Sequence, residues 1–239
     1  MEIVYISLLT IIASWVGTVS GFGISTILVP ALSLFYPLTP TLLLVGIIHW
    51  FGDIWKLILF KKGIKAQFIF LFGFPGIFAT YIGARLVFEI PEVILSRSLG
   101  LFLLLYVVFI IIKPSFKLSK KEGVSVVGGA LYGLSAGAFG VGGAIRSAFL
   151  STFNLPKEVY IATSGAIGIV IDTVRLGTYI SNGANLGKSL WLGLLIFIPT
   201  SLVGAKLAQK VVLKIPQKRF RNVIAIFLAI SSLLMLLRK

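Results

Sequence analysis

The chain has 239 residues, 58% hydrophobic and only 12% charged, with a net charge of +15. Soluble domains carry roughly a quarter charged residues, so an ordinary water-facing surface is excluded and lipid is the expected surrounding. The Lys and Arg fall in short clusters between apolar runs, as in loops that fix membrane orientation, so no nucleic-acid partner is expected; the lack of cysteine removes disulfides, thiolate metal sites and thiol nucleophiles.

Met1-Glu2-Ile3 lacks a basic n-region, and no small-x-small cleavage site follows before Gly17, so the N-terminal segment is expected to be retained. Apolar stretches follow at 3–19, 24–36, 42–60, 66–88, 95–112, 122–136, 143–153, 159–180, 189–207 and 221–237. A spanning helix needs about 20 such residues. The stretches 24–36 and 143–153 are too short, and each follows a glycine-rich break: Gly21-Phe22-Gly23 and Gly140-Val141-Gly142-Gly143.

The breaks belong to a larger repeat. A shift of 119 residues lays Gly21 on Gly140, Gly23 on Gly142, Pro37 on Pro156, Gly46 on Gly165, Asp53 on Asp172 and Lys56 on Arg175 without a gap. Further on, Gly83-Ala84-Arg85-Leu86 matches Gly204-Ala205-Lys206-Leu207, and Ile90-Pro91 matches Ile215-Pro216. The expected organisation is one transmembrane domain, residues 1–239, made of two copies, 1–116 and 120–239. Repeats of this kind are common in secondary transporters, whose sites form where the copies meet.

The stretches 3–36 and 122–155 are longer than one crossing and shorter than two, which leaves a long broken helix or a re-entrant hairpin. With hairpins, each copy has three full spans and the second copy is inverted. The positive-inside rule favours this arrangement. It places fifteen cations on the cytoplasmic side, Lys56, Lys61, Lys62, Lys65, Lys113, Lys117, Lys120, Lys121, Lys157, Lys206, Lys210, Lys214, Lys218, Arg219 and Arg221, against five outside. Eight simple spans would give 11 against 9. Arg238 and Lys239 fall outside, against the trend. The fold class is therefore an all-α polytopic membrane protein of two inverted repeats, each a broken hairpin plus three transmembrane helices.

In lipid an unpaired backbone group costs several kcal/mol, so the broken stretches must be covered by protein or line a wet cavity. The short helix after each break presents free N–H groups and a positive dipole end, a seat for an anion, and glycine permits close approach. Candidate substrate-binding residues are Ser20, Gly21, Phe22, Gly23, Ser25 and Thr26 at the first tip, with Phe139, Gly140, Gly142, Gly143, Arg146 and Ser147 at the second. Arg146 stands out as a guanidinium one turn past the break, able to clamp an oxyanion through two parallel hydrogen bonds. The hydroxyls, including Ser135, have ordinary backbone capping as their other reading. Gly129, Gly133 and Gly137, at four-residue spacing, are assigned to helix packing.

Charges at membrane depth cost roughly 2.5 to 3.5 kcal/mol each at a helix centre. Asp53 with Lys56, and Asp172 with Arg175, have i,i+3 spacing and read first as intrahelical ion pairs. The other reading gives Asp53 or Asp172 a proton to carry, with His49, one turn before Asp53, sharing that role or bracing a helix.

The pattern resembles the TauE/SafE sulfite exporter family of membrane transporters, also called the four-toluene-sulfonate uptake permease family. The likeness rests on Gly21-Phe22-Gly23-Ile24-Ser25-Thr26-Ile27-Leu28-Val29-Pro30, similar to the family's Gly-x-Gly-Gly-Gly to Pro signature. Its echo at Gly140-Val141-Gly142-Gly143-Ala144 and the Gly204-Ala205-Lys206-Leu207 to Pro216 stretch extend it over essentially the whole chain. Ile24-Ser25 replaces glycines common in the family, and the second tip lacks the trailing proline. The resemblance implies transport of small sulfur-containing anions such as sulfite or sulfonates across the cell membrane, in either direction.

The expected activity is therefore alternating-access carriage of such an anion, held between the glycine tips, with a proton as candidate coupling ion and a homo-oligomer left open. A passive anion channel would use the same donors but show neither saturation nor a response to a proton gradient. No cofactor is expected and no enzyme: one His, no Cys and two membrane-depth carboxylates leave little for a metal or nucleophile constellation.

Overall fold

The computed structural model describes residues 1–60, 63–112, 122–212, 214 and 217–237, with the side chains of 110, 122 and 217–224 left aside. Lys61, Lys62, Lys113, Lys117, Lys120, Lys121, Ile215, Pro216, Arg238 and Lys239 lie outside the described residues, as do the side chains of Lys218, Arg219 and Arg221. The described residues form ten helices and no strand. They are α1 (Glu2–Ser20), α2 (Ser25–Leu32), α3 (Leu38–Leu59), α4 (Ala66–Glu89), α5 (Glu92–Ile112), α6 (Glu122–Phe139), α7 (Gly143–Ser151), α8 (Lys157–Ser181), α9 (Lys188–Val211) and α10 (Gln217–Leu237). Six of them, α1, α3, α4, α5, α8 and α9, are long and apolar enough to cross a membrane.

Local chemistry sets the boundaries. Pro37 and Pro156 stand at the N-caps of α3 and α8 in extended conformation, where a missing N–H costs no helical bond. Gly21 ends α1 in the left-handed region with φ 78°, its N–H donating to the Gly17 carbonyl. Inside α4 the turn Ile69–Gly73 widens to a π-helix just ahead of Pro75, a local unwinding that accommodates the absent donor.

The first break is a hairpin that returns to its own side. Tyr36 Oη donates to Glu2 Oε1 at 2.9 Å, and the rings of Tyr5 and Phe35 meet edge to face at 6.3 Å, so the entrance of α1 and the exit of α2 are neighbours. The starts of α3 and α5 lie together, since the Leu38 N–H donates to Glu92 Oε1 at 2.8 Å. At the opposite end, Gln209 Nε2 donates to the Leu59 carbonyl at 2.6 Å, and the Lys65 N–H donates to Thr163 Oγ1 at 3.1 Å. Lys157 Nζ also bonds the Val212 carbonyl there. Helix α8 therefore starts where α3 ends, and the second set of helices runs opposite to the first.

Helices α3 and α8 are antiparallel at the centre: Gly46 faces Leu176, Trp50 Nε1 donates to Thr173 Oγ1 at 2.9 Å, and Gly165 faces Lys56. The remaining seams also join an early helix to a late one, α1 with α9, α4 with α6 and α5 with α10. In the α4–α6 seam Gly129, Gly133 and Gly137 lie on the backbone of Phe72, Gly76 and Thr80. Side chains there would force the backbones apart, which is the packing role read from their spacing.

Candidate functional site

Both glycine tips end in the middle of the molecule and touch. Ser147 Oγ, on α7, donates to the Gly21 carbonyl at 2.6 Å, and a methyl group on Gly143 would collide with the Phe22 carbonyl. The left-handed backbone at Gly21, Gly23 (φ 86°) and Gly140 (φ 65°) is what turns the chain at these points. Helices α2 and α7 start there without a side-chain N-cap, and Ser25, Thr26, Gly143 and Ala144 are buried. The first N–H groups of both helices thus point from a dry, positive dipole end into the protein interior.

Beside the tips lies a cluster of buried charges that joins four helices. Asp53 Oδ1 accepts from Lys56 Nζ at 2.6 Å, and its Oδ2 lies 3.5 Å from Arg146 Nη1. Asp172 Oδ1 lies 2.9 Å from Arg175 Nη2, and its Oδ2 is 2.5 Å from His49 Nδ1. His49 Nδ1 also stands 3.9 Å from Asp53 Oδ2, which links the two carboxylates. Arg146 Nη1 donates to Tyr132 Oη at 3.0 Å, with the guanidinium carbon 5.4 Å from the Tyr132 ring centre. His49, Asp53, Lys56, Tyr132, Arg146, Asp172 and Arg175 are all sealed, between 0 and 4% exposed. The i,i+3 pairs read from the sequence are present, but neither is self-contained, because each carboxylate takes a second partner from another helix, Arg146 for Asp53 and His49 for Asp172.

Three features suit this cluster to an anion. Lys56, Arg146 and Arg175 outnumber Asp53 and Asp172, so one positive charge is left uncompensated before His49 is considered. Arg146 Nε and Nη2 make no hydrogen bond although fully buried. These two donors form one edge of the guanidinium, the edge that grips a carboxylate-like or sulfonate-like group in a fork. Finally, each tip rests on a cluster cation or imidazole: a methyl on Gly140 would lie 2.9 Å from Arg175 Nη1, and one on Gly23 would lie 2.5 Å from His49 Nε2.

His49, Asp53 and Asp172 also bring possible metal-ligand atoms within 4.8 Å of one another. The three cations already held by those carboxylates oppose a metal ion there.

The other residues singled out in the sequence divide by what they already bond. Thr26 Oγ1 donates to the Phe22 carbonyl at 2.8 Å, Ser135 Oγ to the Tyr132 carbonyl at 3.0 Å, and Ser20 Oγ accepts from the Phe22 N–H at 3.2 Å. With Ser147, these hydroxyls brace the hairpins in this conformation. Phe22 and Phe139 pack outward on α5, against Tyr106 at 6.2 Å and Phe102 at 5.5 Å between ring centres. Gly142 backs onto the Tyr132 ring, and Ser25 is buried at the first turn of α2.

One reading is corrected. Lys56, counted among the cytoplasmic cations, is 2% exposed and belongs to the cluster, where Asp53 compensates it. Three members escaped sequence reasoning. Tyr132 holds Arg146, Tyr160 places its hydroxyl against Gly21, and Gly168 leaves the space that Arg146 Nη1 and Asp53 Oδ2 fill. The 119-residue register already laid Gly168 on His49 and Arg146 on Ile27; Tyr132 and Tyr160 had no such signal.

Residues 6–235 match the family described as Sulfite exporter TauE/SafE. A search of curated proteins returned no match to this chain, and neither did a search of solved structures. The family match spans nearly the full length, so the chain belongs to the sulfite exporter TauE/SafE family, a family of membrane transporters for sulfur-containing anions.

Proposed function

We propose that the protein is a secondary transporter that carries a small sulfur-containing anion, of the sulfite or sulfonate kind, by alternating access across the cell membrane. The cargo sits between the tips of α2 and α7, held by their N–H groups and by the free edge of Arg146. The observation that carries this reading is a buried guanidinium with two unbonded donors inside a cluster of net positive charge. Such an edge costs free energy unless a ligand meets it for part of the cycle.

Residues 1–116 and 120–239 act as two inverted copies that rock against each other, a motion that exposes a site at their junction to one side at a time. An occluded step of that cycle calls for a cluster shut off from both sides, and the burial of these charges supports a carrier over a passive channel. The test is uptake of labelled sulfite into liposomes with Arg146→Ala. The variant is expected to stay monodisperse in detergent, because Asp53 keeps Lys56 and the two remaining cations then balance the two carboxylates, while saturable flux and counterflow disappear; undiminished flux would remove Arg146 from the site, and flux without counterflow would make the protein a channel.

A further inference from the structure

The two carboxylates of the cluster are related by the 119-residue register, yet they are completed differently. Each has its i+3 cation, Lys56 for Asp53 and Arg175 for Asp172. The second partner of Asp53 is Arg146, whose charge is permanent. The second partner of Asp172 is His49, whose charge is not. In the register His49 falls on Gly168, and Asp53 Oδ2 and Arg146 Nη1 fill the space a side chain at Gly168 would take. One half of the cluster therefore has a fixed cation where the other has a titratable one.

The hydrogen bonding of His49 fixes where a proton can go. When the Asp172 carboxylate is ionised it can only accept, and the 2.5 Å contact to its Oδ2 then puts the hydrogen on Nδ1. In neutral imidazole Nε2 is then a bare lone pair. It is buried, has no hydrogen-bond partner, and abuts Gly23 at the start of α2. A lone pair there repels an anion at the tip; an N–H there donates to it. Among the described residues His49 meets Asp172 on α8 and Asp53 on its own helix, and those carboxylates in turn hold Arg175 on α8, Lys56 on α3 and Arg146 on α7.

Resting on the anion-transport reading, we propose that His49 Nε2 is a proton site that loads together with a doubly charged oxyanion. A proton from solvent adds to the Nε2 lone pair, no other bond breaks, and the cluster goes from one excess positive charge to two. A dianion then neutralises it fully, so the loaded centre crosses the occluded step without unpaired charge in a low-dielectric interior. On release, the proton returns to solvent from the same atom.

Sulfate, a dianion throughout the range pH 6 to 8.5, is the probe, with methanesulfonate as a permanent monoanion. Calorimetric titration of the purified protein in buffers of different ionisation enthalpy counts protons taken up per anion bound. For wild type, sulfate binding is expected to take up close to one proton at the alkaline end and to weaken by up to about tenfold per pH unit as pH rises. Methanesulfonate is expected to draw in less. His49→Gln, which keeps a polar side chain of similar reach, is expected to bind sulfate more weakly with no proton uptake and a flat pH profile. A loss of structure alone would lower affinity without removing the pH dependence. Binding of sulfate to wild type without proton uptake would overturn the proton site and leave the transport reading standing; failure of both anions to bind would overturn both.

Discussion

Two glycines on α8 separate packing from propensity. Gly168 faces the cluster: a Cβ there would overlap Asp53 Oδ2 and press on Arg146 Nη1. Gly177, nine residues later on the same helix, has nothing within 4 Å of where its Cβ would stand. Gly→Ala inside a helix gains about 1 kcal/mol from propensity alone. At Gly177 that gain is unopposed. At Gly168 it is set against overpacking, typically about 1 to 3 kcal/mol, and against displacement of Asp53 from Arg146, since weakening a buried ion pair adds a further cost.

Gly168→Ala is therefore expected to be destabilised relative to Gly177→Ala by about 1 to 3 kcal/mol from overpacking, plus the cost of the weakened ion pair. Unfolding of the two variants in the same detergent, followed by tryptophan fluorescence, measures the difference. Flux in liposomes should fall for Gly168→Ala and stay at the wild-type level for Gly177→Ala. If the two variants unfold alike and both transport normally, the close fit of Arg146 and Asp53 over Gly168 is not what shapes the site.

Gly133→Val should part α4 from α6, because the first added carbon already collides with the Gly76 carbonyl; a loss of about 1 to 3 kcal/mol, read as a lowered unfolding midpoint, is expected. Asp53→Asn leaves Lys56 and Arg146 without their shared carboxylate, and removal of one member of a buried ion pair costs about 3 to 5 kcal/mol. That variant should give little monodisperse protein on size-exclusion chromatography, and a normal yield would mean the cluster tolerates a further excess of positive charge.

Much of the fold was legible because lipid simplifies the code. Apolar run length sets helix length, so the ten stretches read from the sequence correspond one to one with the ten helices, and the two runs too short to span became α2 and α7. The glycine tips were legible for a related reason, since a break at membrane depth needs residues that adopt left-handed backbone. The cluster was only half legible. Spacing along one helix shows that Asp53 can reach Lys56, but not that Arg146 and His49 arrive from other parts of the chain. Lys56 was misplaced because a lysine near a helix end reads as a loop anchor, and its carboxylate partner one turn earlier did not outweigh that signal.

The seams α1 with α9, α4 with α6 and α5 with α10 all tie an early part of the chain to a late one. During synthesis the first five helices enter the bilayer with their mating surfaces bare, including the α4 backbone that Gly129, Gly133 and Gly137 later cover. Neither set of helices owns a complete interior, so the late helices close the core that the early ones leave open.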